Sequence, residues 1–406
     1  MRNSSKEIIA ELLPFYQAQL MNKVIPFYME YALDRQYGGY TTCLDDDGTL
    51  LSGDKYLWSQ GRGVWTFSAL YNRIEKDPKW LEVAELGVRF LREHGRDSQG
   101  RWVYRTSREG KVIDGPISIF SDCFAVYGLT EFFRATGDRA ALELAVATYA
   151  EIRRRIAEPG FDAVAPQVLP KGWRIHAIPM IMLEISQELG DVAPELELQP
   201  FIDDCVHQIM DLHLRPEYHV LLENLTVDGQ EIQTPEGRVV NPGHGIESMW
   251  FVMHQARRRN DQHLINRAVE AIRWMLEIGW DQEYGGLFLA VDRDGGPAAF
   301  PNWDKKAWWP HTESMYALLL AYELTGEEWC LDWYWRVHRW AVGHLVSSYG
   351  DWYQRLDRQG RPIKEVIALP VKDPFHLPRM LILGIQCLKR IASDESLIEI
   401  HFNKEC

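Results

Sequence analysis

Six short stretches of the 406-residue sequence carry polar side chains where a helical core pattern calls for apolar ones. Arg62 lies in Lys55-Tyr56-Leu57-Trp58-Ser59-Gln60-Gly61-Arg62-Gly63-Val64-Trp65. Asp122 lies in Ile119-Phe120-Ser121-Asp122-Cys123-Phe124, and His176 in Arg174-Ile175-His176-Ala177-Ile178-Pro179. His244 and Glu247 share Asn241-Pro242-Gly243-His244-Gly245-Ile246-Glu247, and His311 and Glu313 share Trp308-Trp309-Pro310-His311-Thr312-Glu313. His376 and Arg379 close the set in Asp373-Pro374-Phe375-His376-Leu377-Pro378-Arg379. Histidines that titrate near neutral pH exchange protons with carbon acids. An arginine can hold the enolate oxygen that forms meanwhile. Each residue alone has an ordinary use: a histidine caps a helix, and Glu247 is an i, i+3 partner of His244. Four histidines at equivalent places of different repeat units point instead to a shared site. The sequence has no nucleophile elbow, P-loop or dinucleotide fingerprint, and Gly285-Gly286 and Gly295-Gly296 read as hairpin glycines.

The elements that must position these residues are helices. The 3.6-residue period predicts twelve, over 7–33, 58–74, 79–95, 117–136, 138–156, 174–189, 197–213, 243–259, 261–279, 306–325, 327–346 and 374–391. Breaks such as Thr136-Gly137-Asp138 and Thr325-Gly326 join them as antiparallel pairs. Between pairs recurs a strand–turn–strand segment with its turn at Asp47-Gly48, Glu109-Gly110, Asp228-Gly229, Asp294-Gly295 or Gln359-Gly360. A degenerate member lies near Gly160-Phe161-Asp162. Helix pairs repeating about every 60 residues cannot bury their apolar faces alone. Length suggests two or three domains, but six pairs close into one all-α (α/α)6 barrel over residues 1–406, with the second helix of each pair inside. An open superhelix is the alternative. In the closed form the six inner N-termini, with their free N–H groups and positive dipole ends, open at one mouth.

Composition narrows the function. The formal charge is −14, and no Lys/Arg stripe exists to track nucleic-acid phosphates. No run of about 18 apolar residues exists to span a membrane. Lys6, Glu7, Glu11 and Lys23 interrupt any apolar signal segment. Six dispersed cysteines (Cys43, Cys123, Cys205, Cys330, Cys387 and Cys406) lack metal-ligand spacing and read as reduced thiols of a cytoplasmic protein, with no metal. The 16 Trp, 17 Tyr and 15 Phe fill a core, and Trp58, Trp65, Trp308 and Trp309 stand beside the polar motifs as walls for a sugar.

At these motifs the sequence resembles the N-acylglucosamine 2-epimerase family, whose vertebrate members are also called renin-binding proteins. The resemblance runs over nearly the whole chain. It rests on K-Y-x-W-x-Q-G-R-x-x-W (55–65), N-P-G-H-x-x-E (241–247), W-W-P-H-x-E (308–313) and P-F-H-x-P-R (374–379). It implies the (α/α)6 fold reached above and inversion at C2 of an open-chain N-acyl-D-glucosamine or N-acyl-D-mannosamine through an enediolate-like intermediate. His244 and His376 match the two catalytic histidines on opposite faces of the substrate, and Arg62 the arginine near its O1/O2 end. Glu247, Glu313 and Arg379 match residues that orient the histidines or stabilise the intermediate. Trp58, Gln60, Trp65, Asp122, His176, Trp308, Trp309 and His311 are the expected substrate lining. The resemblance also implies a cofactor-free homodimer, with ATP as a candidate allosteric activator; Lys171 and Arg174 are candidate contacts. Related cellobiose 2-epimerases and aldose–ketose isomerases usually carry an Asn and a His where this chain reads Ala177-Ile178-Pro179-Met180-Ile181. Epimerisation of mannose or glucose and mannose–fructose isomerisation stay open as alternatives. So do a glycoside hydrolase using Asp122 with Glu313 and a binding protein without activity.

Overall fold

A computed structural model describes residues 5–366 and 369–393. The chain begins with a helical rod, α1, made of Ser5–Gln19, a π-helical turn Leu20–Val24, and Ile25–Tyr31. Then follow α2 (Leu57–Arg73), α3 (Pro78–His94), α4 (Ile119–Thr136), α5 (Arg139–Ile156) and α6 (Ala177–Val192). Next come α7 (Gln199–His207, continued by the π-helical turn Gln208–His213), α8 (Pro242–Arg258) and α9 (Gln262–Gly279). The series ends with α10 (Trp308–Thr325), α11 (Glu328–His344) and α12 (His376–Ser393). These are the twelve helices of the sequence reading among the described residues. Several starts fall two or three residues later than the period predicts, at Ile119, Ala177, Trp308 and His376; residues 174–175 and 306–307 are extended, because Arg174 pairs with Leu225 and Lys306-Ala307 with Arg355-Leu356.

The even-numbered helices form the inner ring. Each packs on the next, and α12 packs on α2, so the ring is closed into an (α/α)6 barrel. Each outer helix packs on the inner helix just before it in the chain, and α1 packs on α12. Inner helices are buried on almost every side; α4 is buried from Ile119 to Phe132 and α10 from Pro310 to Tyr322. Turns between pairs follow simple chemistry. Gly137 and Gly326 end α4 and α10 in left-handed conformation (φ 74° and 68°). Asp138 then caps α5 by accepting from the Ala141 N–H. Asn241 caps α8 the same way through the His244 N–H, with Pro242 in the first turn.

All five hairpin glycines named above have positive φ, from 82° to 91°. The strands, however, are only two or three residues long and mostly pair between consecutive segments rather than within one hairpin. Lys55-Tyr56 pairs with Arg105-Thr106, Trp173–Ile175 with Asn224–Thr226, Val239-Val240 with Val291-Asp292, and Lys306-Ala307 with Arg355-Leu356. The result is a collar that ties the N-termini of α2, α6, α8 and α10 to the next unit. Two collar units share a buried brace. Lys55 Nζ donates to Asp34 (2.9 Å) and the Gly38 carbonyl (2.6 Å), and Arg108 shares Asp34. Lys306 Nζ likewise donates to Asp281 (3.1 Å) and the Gly286 carbonyl (3.2 Å), with Arg358 on Asp281.

Candidate active site

The mouth of the ring is built by side chains spaced three or four residues apart, which places them on one helix face. Trp58 and Arg62 come from α2, His244 and Glu247 from α8, Trp309 and Glu313 from α10, and His376 and Arg379 from α12. His376 Nδ1 lies 2.7 Å from Glu313 Oε1, and Arg62 Nη2 lies 3.3 Å from His376 Nε2. Arginine offers only donors, so Nε2 accepts, and the ring proton sits on Nδ1 facing Glu313. The second histidine has its own carboxylate: His244 Nδ1 lies 3.1 Å and 3.2 Å from the two oxygens of Glu223. That leaves Nε2, on the other edge of the ring, for the cleft. The Trp309 ring lies between them, 5.2 Å from the His244 ring and 5.7 Å from that of His376; Trp308 meets His376 edge-on at 6.0 Å.

Beneath this pair runs a buried ionic layer. Arg379 Nη2 donates to Glu313 (2.9 Å) and to Glu247, and Trp250 Nε1 donates to the other Glu313 oxygen (2.9 Å). Arg62 is held by Asp373 at 2.7 Å and stacks over Phe124, Trp58 and Phe375. Asp373 also caps α12 by accepting from the His376 N–H at 2.9 Å, so one carboxylate sets both the arginine and the helix start. Burial alone would raise the Glu313 carboxyl, but Arg379 and the His376 hydrogen bond hold it down to about 2. Burial disfavours a charged His244, yet the charge and hydrogen bond of Glu223, with Glu247 beyond, leave it above its ordinary value.

Five sequence candidates are placed elsewhere, each for a physical reason. Gln60 accepts from the Tyr40 N–H (2.7 Å) and donates to the Tyr40 carbonyl (2.8 Å), pinning a hairpin. His311, fully buried, has its Nε2 accept the Leu287 N–H (2.9 Å) and its Nδ1 donate to the Ala307 carbonyl (2.8 Å), with its ring stacked on Trp340. Asp122 turns to Arg155 of α5 at 2.9 Å. Trp65 is core, stacked on Tyr127. His176 lies behind His244, fully buried, with Nε2 on the Ser248 hydroxyl at 2.7 Å. Asp122 is engaged by Arg155 and Glu313 by His376, Arg379 and Trp250, so both carboxylates proposed for glycoside hydrolysis are already committed to other side chains. Glu223 and Asp373 are the residues the sequence reading passed over. Glu223 stands in the segment that leads to the Asp228-Gly229 turn, and Asp373 stands three residues before His376, the spacing of a capping carboxylate.

Two groupings, His176–Glu223–His244 and Glu247–Glu313–His376, bring histidine and carboxylate atoms within 4.8 Å of one another. In the second, the Arg379 guanidinium already supplies the cation. In the first, the His244 ring nitrogen is spent on Glu223. We assign a metal to neither.

Fold and site together define an (α/α)6 barrel whose mouth opposes two histidine–carboxylate pairs across a tryptophan. The sequence profile of the N-acylglucosamine 2-epimerase (GlcNAc 2-epimerase) family matches residues 38–377, and the chain belongs to that family. It is 31% identical to the N-acylglucosamine 2-epimerase of Mus musculus over 91% of this chain and 90% of that one. It is 24% identical to the cellobiose 2-epimerase of Bacteroides fragilis over 90% and 96%. Cellobiose 2-epimerase from Spirochaeta thermophila DSM 6192 shares the fold, with a TM-score of 0.81 at 21% identity, covering 96% of this chain and 100% of that one. The chain is thus a carbohydrate-epimerase family isomerase. No helix among the described residues is long and apolar enough to cross a membrane.

Proposed function

We propose that the protein is an N-acyl-D-glucosamine 2-epimerase acting by two-histidine proton transfer. The observation that carries the reading is the opposed pair: His376 and His244 flank Trp309, each with Nδ1 on its own carboxylate. The open-chain sugar lies across the tryptophan, with its C2 between the imidazoles. One imidazole removes the C2 proton as the C1 carbonyl becomes an enediolate oxygen, and Arg62 faces that charge. The other returns a proton to the opposite face of C2, inverting it. General acid–base catalysis of this kind contributes about 10²–10⁴-fold per positioned group.

The chemistry calls for no cofactor. A cytoplasmic homodimer and activation by ATP belong to the same reading, checked by sedimentation velocity and by assay with and without ATP. The deciding experiment incubates the protein in D2O with N-acetylglucosamine, N-acetylmannosamine, mannose and glucose, and follows C2 deuteration and products by NMR. Exchange confined to the acetamido sugars is expected. Epimerisation of free hexoses, or fructose formed from mannose, would replace the substrate assignment. No C2 exchange with any sugar would overturn the reading.

A further inference from the structure

The two histidines are matched in kind but not in surroundings. His376 faces two cations and two anions: Arg62 from α2, Glu313 from α10, and Asp373 and Arg379 from its own segment. Its carboxylate partner is already shared with Arg379, and a guanidinium points at its free nitrogen. The lone pair of that nitrogen is thus already engaged by an N–H donor. His244 faces the reverse. From the segment between α7 and α8 comes Glu223, from α8 itself Glu247, from the start of α6 His176, with His213 at the end of α7 packed on His176, and from α10 the uncharged Trp309. Glu247 is paired with Arg379. Burial keeps His176 well below its ordinary value and takes His213 down to about 4, so both are neutral at physiological pH. Among the described residues no lysine or arginine pairs with Glu223. An enclosed carboxylate whose one close ionic partner is an imidazole favours a proton on that imidazole.

We infer that Glu223 is a positioning residue that polarises the pair, keeping His244 as the imidazolium acid and His376 as the neutral base in the resting enzyme. The inference rests on the two-histidine reading above. From the resting state, the epimer whose C2–H faces His376 reacts at once. Its proton moves to His376 Nε2 while the His244 Nε2 proton moves to C2. The turnover leaves the protons exchanged between the two rings. His376 is then charged beside Arg62 and His244 neutral beside Glu223, and exchange with cleft water restores the resting arrangement.

The test is the pH profile of kcat/KM for C2 exchange in wild type and Glu223→Gln. Activity requires protonated His244, so it falls as pH rises through that group's pKa. Removing the carboxylate lowers this pKa and moves the alkaline limb down by about one to two pH units, a tenfold or greater loss above the limb. Glu223→Asp, which keeps the charge, should return the limb most of the way. A Glu223→Gln enzyme with reduced turnover but an unmoved alkaline limb would overturn the inference. Imidazole ¹⁵N shifts of ¹⁵N-histidine-labelled protein, assigned with His244→Asn, read the same proton without substrate. His244 should be imidazolium at neutral pH in wild type and neutral in Glu223→Gln. If wild-type His244 is neutral there, the polarity is refuted whatever the substrate. If it is imidazolium and no sugar exchanges, only the functional reading fails.

Discussion

Gly61 offers a stringent test of how the barrel sets its site. It sits beside Arg62 on α2, where the helix meets α4. A Cβ built at Gly61 would lie 2.3 Å from the Phe124 carbonyl oxygen and 2.9 Å from the Ala125 nitrogen. Across the same contact, a Cβ at Gly128 would lie 2.4 Å from the Gly61 carbonyl oxygen. These are backbone atoms of α4, so no side chain can swing away, and a normal contact of about 3.3 Å requires the helices to part by roughly 1 Å. Overpacking of this kind costs about 1–3 kcal/mol, against up to ~1 kcal/mol gained from alanine's helix propensity. Thermal unfolding of Gly61→Ala should therefore fall by about 1–4 °C at this chain length. The catalytic effect should be larger. Arg62 reaches His376 across 3.3 Å, and a displacement near 1 Å at such a site costs up to ~10² in rate. Gly190→Ala on α6, where the nearest non-local atom is 4.0 Å away, is the control and should leave stability equal or slightly raised. C2-exchange kinetics and calorimetry on both variants decide the matter. A Gly61→Ala protein as stable and as active as wild type would refute the claim that close α2–α4 approach positions Arg62.

Three further outcomes are expected. Arg379→Leu leaves Glu313 and Glu247 without their buried cation, costing about 3–5 kcal/mol at neutral pH. Glu313, held down to about 2 in the fold against ~4.3 unfolded, contributes stability that is present above pH ~4.3 and lost as pH falls towards 2. The deficit of the variant should therefore shrink in melts taken from pH ~4.3 down towards pH 2, and a deficit that stays constant across that window would contradict the assignment. His311→Gln should keep C2-exchange activity within a few-fold while changing the melting temperature, because Gln60 already performs the same backbone pinning in another unit. Loss of turnover without loss of stability would return His311 to the site. Arg62→Lys retains the charge but not the fork that spans Asp373 and His376; turnover should drop at least about tenfold, with circular dichroism unchanged.

The sequence makes most of the architecture legible because it is locally encoded. Gly137 and Gly326 stop helices, Asp138 and Asn241 start them, and glycines at the five hairpin turns take positive φ. Arg62, His244, Glu247, Glu313, His376 and Arg379 could be grouped for the same reason: they sit near inner-helix N-termini. The misplaced candidates show what motif proximity leaves out. Gln60 is two residues from Arg62, and His311 two from Glu313. At 100° per residue that is 200° around the helix, away from the mouth. Counting the angle would have separated them. Glu223 is different. It belongs to no helix; its own connector, where the Glu223 N–H donates to the Val239 carbonyl just ahead of α8, brings it to His244, so helical periodicity carries no sign of it.

The closing contact of the ring has a consequence for how the protein is made. Arg62 and its anchor Asp373 are 311 residues apart, Tyr16 and Tyr334 share a hydroxyl contact across 318, and α1 rests on α12. At about 5–20 residues per second, a ribosome takes roughly 15–60 s to pass from the arginine to its anchor. Throughout that interval the nascent chain carries α1 and α2 with their α12 partner not yet synthesised. Aggregation and chaperone engagement should therefore concentrate on the N-terminal units. Stalled chains ending before residue 373 should be protease-sensitive and wholly inactive, since the late-emerging segment supplies the Asp373 that anchors Arg62 and caps α12, and the second histidine, His376, of the proposed pair.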